Sequence, residues 1–212
     1  MGEVTRILLM VPPLLFALTF HEYCHAYVAT RLGDPTARLL GRLTLNPIAH
    51  LDPIGTIVFA LTQRIGWAKP VPVDGRYLSH PRRDMIWIAL AGPVSNILLA
   101  FVFGTLLRLA VPLQVQSVPM RLLLYMVEGS VYVNLGLAAF NLLPIFPLDG
   151  SRILAGLLSP ALAARYGKLD TVGPYALLGI VVLGMATGIN LFTYIVSPFV
   201  YIFGRLFTGG LL

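Results

Sequence analysis

Residues 14–29 read Leu14-Leu15-Phe16-Ala17-Leu18-Thr19-Phe20-His21-Glu22-Tyr23-Cys24-His25-Ala26-Tyr27-Val28-Ala29. This stretch decides the fold, because it sets three ionisable side chains inside an apolar run that extends over about residues 4–30. Such a run is long enough to cross a bilayer, for which roughly 20 apolar residues suffice. An ionisable group there costs roughly 2.5–3.5 kcal/mol on insertion scales, so three within five residues call for a use. The spacing His21-Glu22-x-x-His25 supplies one. At about 3.6 residues per turn the two imidazoles stand one turn apart on one helical face. Both can then reach a single Zn²⁺ at about 2.0–2.1 Å. Glu22, beside the first ligand, is placed to take a proton from metal-bound water. The alternative is that neighbouring helices satisfy the histidines and that Glu22 is protonated.

Outward from this run the chain keeps the same character. Of its 212 residues 57% are hydrophobic and 11% charged, against about a quarter charged in soluble domains. Five stretches, about residues 4–30, 85–111, 121–147, 171–188 and 190–207, are apolar enough to cross. The expected fold is therefore an all-α polytopic membrane protein, one integral-membrane domain over residues 1–212. The run from Ile7 to Phe20 is not a signal peptide, since the apolar pattern continues through Ala26–Ala29 without a small-residue cleavage site. Met1-Gly2 fails the myristoylation pattern because residue 6 is Arg. Cys24 is the only cysteine, so no internal disulfide forms.

The net charge of +6 does not point to nucleic acid, because the basic residues flank apolar segments and form no stripe with stacking aromatics. If all five stretches cross, one side holds Arg31, Arg38, Arg42, Arg64, Lys69, Arg76, Arg82, Arg83, Arg152, Arg165, Lys168 and Arg205. The other side holds Arg6, Arg108 and Arg121. The positive-inside rule then predicts a cell-membrane protein with its N-terminus outside and its C-terminus cytoplasmic.

The connector 31–84 is rich in Pro, Gly and Arg. Pro53–Trp67 is apolar but short, which suits a re-entrant or interfacial segment. Lys69-Pro70-Val71-Pro72-Val73 must be extended, since residues before proline leave the helical region, and Asp74-Gly75 suggests a short β-hairpin. Residues 151–168 group Ile153, Leu154, Leu157, Leu158, Ala161 and Leu162 on one face, as an interfacial helix would. The short break Gly188-Ile189-Asn190 predicts a tight antiparallel helix pair, and Gly184 with Gly188 predicts close packing within the bundle.

Two histidines leave a catalytic zinc one protein ligand short. The best candidate is Asp149, the only acidic residue at the end of the third stretch, beyond prolines that unwind the helix. The alternative is a helix-capping Asp. Asn96 reads better as an interhelical hydrogen-bonding residue than as a lining of the site. His50 and His80 read as surface or structural residues, and Cys24 as a small packing residue turned away from the ligand face.

Three segments taken together resemble the site-2 protease family of intramembrane zinc metalloproteases: His21-Glu22-x-x-His25, Ala91-Gly92-Pro93-Val94-Ser95-Asn96 and Asn141 through Gly150. Gly33-Asp34-Pro35-Thr36-Ala37, Gly41-Arg42-Leu43-Thr44-Leu45-Asn46-Pro47 and Gly66 through Val73 are similar to its short prokaryotic branch, without PDZ or CBS domains. The resemblance covers essentially the whole chain. It implies zinc, one ion per chain, on His21, His25 and Asp149, with Glu22 as catalytic base and Asn141 near the substrate. It further implies single-pass membrane-protein substrates cut within or near their transmembrane segments, in regulated intramembrane proteolysis. No sequence feature specifies an oligomer. A membrane metal carrier would need further ligands along a path, and an inactive relative would not need the intact Glu22.

Overall fold

The computed structural model describes residues 2–62, 66–113, 117–189 and 191–211. Arg64 of the charge count and Asn190 of the last break lie outside the described residues.

The site lies among three long helices and the start of a short one. Helix α1 runs over Glu3–Arg31 and ends where Gly33, at φ 109°, reverses the chain. After the one-turn α2 (Thr36–Leu39) and the ten-residue α3 (Pro53–Thr62) come α4 (Pro81–Ala110) and α5 (Val118–Asn141). The rest comprises α6 (Asp149–Leu157), α7 (Pro160–Gly167), α8 (Gly173–Thr187) and α9 (Leu191–Thr208). A proline stands in the first turn of α4, α5, α7 and α8, where its fixed φ suits a helix and its missing N–H costs nothing.

Lipid gives no hydrophobic drive for helices to associate, so close approach of small residues has to hold them. Ala17, Ala26, Ala29, Ala89, Ala100, Ala138 and Ala139 are buried, as are Gly92, Gly104 and Gly129. Side-chain pairings give the helix directions. Phe16 meets Phe103, His21 meets Asn96 and His25 meets Ile88, so α1 and α4 are antiparallel. Asn96 meets Asn134, while Ala100 packs with Val131 and Leu135, so α4 and α5 are antiparallel too.

The pairing of α9 is the least expected. Phe192 meets Phe140 edge-on at the end of α5, with ring centroids 5.3 Å apart. Phe199, Phe203 and Phe207 pack on Ala100, Val131 and Leu135, Phe207 backs Gly104, and Gly209 lies against Arg108 at the end of α4. Helix α9 therefore runs parallel to α4, and its last turn lies at the same end of the bundle as the start of α1. This departs from the expectation that the C-terminus lies at the opposite end.

Helices α1, α4, α5 and α9 are each long and apolar enough to cross a membrane, and α7 with α8, bent by 55°, make a fifth candidate. The reason for the changed direction lies in α8. Its 15 residues extend about 22 Å, short of the roughly 30 Å hydrocarbon core. It starts against Phe146, just past the site end of α5, and the next helix starts against Phe140 in the last turn of α5. The anticipated tight pair with α9 is absent among the described residues. Gly188 stands past the end of α8 at φ 74°, so it caps the helix instead of contributing to a packing stripe.

The connector departs from expectation in one element. No β-hairpin forms among the described residues, which hold one isolated antiparallel bridge, Leu51 with Ala68. Asp74 accepts from the Arg76 N–H at 3.0 Å and starts a 3₁₀ turn over Gly75–Tyr77, so the local side-chain bond wins over strand pairing. Of Pro53–Trp67, residues 63–65 lie outside the described ones; within the rest, Trp67 lies beside Gly55, and Phe59 lines a cavity with Arg6, Met10 and Val133. The single interfacial helix expected over 151–168 is two, because Pro160 begins a new helix and holds the preceding Ser159 extended.

Candidate metal centre

His21 and His25 project from one face of α1 into its contact with α4, and both are buried. Their Nε2 atoms lie 3.0 Å apart. Asp149 Oδ2 is 3.2 Å from each. Asp149 arrives there because the chain past α5 turns back sharply: Ile145 N–H donates to Leu143 O, and Leu148 N–H donates to Ile145 O, each at 2.8 Å. Gly150 completes the turn, as a β-carbon there would collide with the carbonyl oxygens of Leu142 and Leu143.

The hydrogen bonds on the far side of each ring identify the protons. His25 Nδ1 lies 2.6 Å from Ile88 O, a main-chain carbonyl that can only accept. His21 Nδ1 lies 2.6 Å from Asn96 Oδ1, also an acceptor. Each Nδ1 therefore carries a hydrogen, and in the neutral imidazole each Nε2 presents a lone pair. Asp149 Oδ2 is buried and accepts no hydrogen bond. With both rings neutral, three lone pairs converge with no donor among them, an arrangement that repels itself unless a metal ion or a proton sits between. Ligand atoms on a tetrahedral zinc at about 2.0–2.1 Å lie roughly 3.4 Å apart, close to the spacing seen. The residues present fit such an ion, and the outer bond on each imidazole is the support that metal-ligating histidines require.

Glu22 and Asn141 line the same cavity, about 130 Å³ in volume, with Val71, Val73, Met85 and Arg152. The Asn141 carboxamide donates to Leu137 O at 3.0 Å, so its second N–H and its oxygen remain for other partners. His50 is elsewhere: it is buried, with Nε2 2.8 Å from Thr44 O. His80 is exposed ahead of α4. Cys24 is half-buried near Ser95 of α4.

Two contributions went unread in the sequence. Asn96 does make the interhelical hydrogen bond expected of it, but the bond falls on His21. Asn134, which holds Asn96 at 2.8 Å, carried a readable signal as a carboxamide inside an apolar stretch. Gly92 is the other. A β-carbon there would lie 2.5 Å from His21 Nε2 and would collide with His25 Nε2.

The extended Lys69–Val73 segment is clamped over the cavity. Buried Arg42 donates to Ala49 O and, at 3.4 Å, to the carbonyls of Lys69 and Pro70. Buried Asp34 accepts from Thr36 N–H at 2.9 Å and from Asp74 N–H at 2.8 Å.

No family model and no solved structure matches the chain. Its sequence is 43% identical over 171 residues to "Putative zinc metalloprotease YwhC" of Bacillus subtilis, covering 77% of this chain and 75% of that one. It is 29% identical over 196 residues to "Zinc metalloprotease MJ0392" of Methanocaldococcus jannaschii, covering 89% of this chain and 46% of that one. With "Putative zinc metalloprotease Rip2" of Mycobacterium tuberculosis it shares 30% over 182 residues, covering 83% and 66% respectively. The chain thus spans three quarters of the first relative's length, and less than two thirds of each of the other two. A converging His-His-Asp cluster inside apolar helices, in a chain this similar to YwhC, places the protein in the site-2 protease-like family of membrane zinc metalloproteases.

Proposed function

We propose that the protein hydrolyses peptide bonds within or near the transmembrane segments of single-pass membrane proteins, using one zinc ion held by His21, His25 and Asp149. The observation that carries this reading is the convergence of the His21 Nε2, His25 Nε2 and Asp149 Oδ2 ligand atoms, 3.0–3.2 Å apart, beside Glu22 in one cavity. When bound, zinc supplies an acidified water and polarises the scissile carbonyl. The Glu22 carboxylate takes the proton from the attacking water and passes it to the leaving amine nitrogen. Asn141 holds the substrate backbone or donates its free N–H to the developing oxyanion. The extended Lys69–Val73 segment offers a partner for an unwound substrate strand, and Pro70 and Pro72 leave Val71 as its central N–H donor. A helical substrate hides its peptide bonds, so it has to unwind before it reaches Glu22.

The protein's place in this reading is the cell membrane, with the site end of the bundle toward the cytoplasm and regulated intramembrane proteolysis as its role. The test is Glu22→Gln. That variant should keep about one zinc per chain by metal analysis, yet lose cleavage of a reconstituted single-pass substrate by about 10²–10⁴-fold, the usual contribution of base catalysis. Cleavage near the wild-type rate would overturn the mechanism. Zinc transport by the Glu22→Gln protein would favour a carrier.

A further inference from the structure

We infer that Asn96 and Asn134 act as positioning residues that select the tautomer of His21, and with it the readiness of the ligand cluster for metal. The inference rests on the zinc reading above. It starts from two main-chain carbonyls, which can accept but never donate. Asn134 Nδ2 donates to Ser130 O at 2.8 Å, which turns the Asn134 oxygen toward α4. Asn96 Nδ2 then donates to that oxygen at 2.8 Å and to Ala17 O at 3.2 Å. With both N–H groups so engaged, only Asn96 Oδ1 is left to face His21, 2.6 Å from Nδ1. A hydrogen must sit on Nδ1, so the neutral ring has its lone pair on Nε2, facing the cluster.

Reversing either amide would set oxygen against oxygen at these distances. Asn96 and Asn134 are both fully buried, so no water is at hand to relieve the conflict. His25 differs, since its Nδ1 rests directly on Ile88 O and needs no side chain to define it. The two ligands are therefore set by different means: one by the α4 backbone, the other by a chain of amides that begins on α5. Any shift of α5 against α4 is felt at His21.

The test uses the full-length chain in lipid nanodiscs. Its two readouts are zinc affinity by chelator competition and the ¹⁵N-histidine spectrum of the metal-free protein, with His21 assigned by subtraction against His21→Ala. Asn96→Leu should weaken zinc binding by about 10–100-fold, the usual effect of losing such an outer partner, and should erase the Nδ1–H signature of His21. Asn96→Asp keeps an acceptor oxygen on His21 but withdraws the donor from Ala17 O and Asn134. It should hold the affinity within severalfold of wild type while losing thermal stability as the Leu variant does. Asn134→Leu should cost a few-fold in affinity.

Wild-type affinity and an unchanged His21 tautomer in Asn96→Leu would overturn the inference. So would equal losses of affinity in the Leu and Asp variants in step with their stability, which would mark a purely structural role. If Asn96→Leu does not fold, Asn96→Ser and Asn134→Leu carry the same decision, and unchanged affinity and tautomer in both would overturn it. A wild-type protein that binds no zinc would defeat the zinc reading alone, because the tautomer is read without metal.

Discussion

A β-carbon at Gly92 would meet both Nε2 atoms of the cluster, so the α1–α4 contact is as close as the ligands allow. Gly92→Ala should displace both rings, lower zinc affinity at least tenfold, and cost about 1–3 kcal/mol of stability as overpacking does. Metal analysis and thermal unfolding in detergent would check this, and full occupancy would refute the crowding argument. Asp149→Ala leaves two protein ligands and should lose most of the metal; a variant still fully loaded would remove Asp149 from the site. At this scale much was legible. The i, i+4 spacing of His21 and His25 follows from helix geometry alone, and Asp149 stood out as the only acid at the end of its stretch. Gly92 was not legible as a contact, because a glycine inside an apolar run has the same letter whether it faces lipid or two imidazoles.

Among the elements, the connector shows how local chemistry supports a distant site. Arg42 and Asp34 are buried charges whose partners are main-chain groups of residues 49, 69, 70, 36 and 74. They hold the Lys69–Val73 segment against the cavity, while the three ligands sit on α1 and α6. Arg42→Met should therefore keep zinc and lose substrate. Hydrogen bonds to a charged group contribute about 1.5–3 kcal/mol, so kcat/KM should fall about 10–100-fold with metal content unchanged. Loss of zinc together with activity would show that the clamp supports the ligands themselves. The extended backbone here was readable from Pro70 and Pro72. The hairpin was not realised, because the Asp74 side chain bonds the Arg76 N–H and turns the chain into a 3₁₀ turn.

For the molecule as a whole, the direction of α9 revises the charge count. Arg205 moves to the end that holds Arg6, Arg108 and Arg121, which leaves ten basic residues at the site end against four among the described residues, a bias smaller than the twelve to three read from the sequence but of the same sign. The positive-inside rule still sends the site end to the cytoplasm, and both termini should now lie outside. Reporters fused before residue 4 and after Leu212 should both read as external. A cytoplasmic C-terminal reporter would mean that α8 crosses and that α9 runs the other way. Substrates whose cleavable bond is moved along the transmembrane segment should be cut best in the cytoplasmic half, since His21 and His25 lie well past the middle of α1. Cleavage confined to the outer half would refute the orientation.

The sequence by itself determined what depends on short-range geometry and composition: the apolar runs, the two histidines on one helical face, the breaks at proline, and an acid at a helix start. The tertiary structure decided what depends on which surfaces meet. It brought Asp149 to the histidines through a turn that Gly150 permits, and it set Asn96 and Asn134 behind His21. It also sent α9 back along α4. The reason is that lipid-facing and helix-facing positions are equally apolar, so hydropathy marks a helix but not its neighbour. Neighbours are chosen by small-residue contacts and by the pairing of buried polar atoms, and neither exists until helices distant in sequence are side by side.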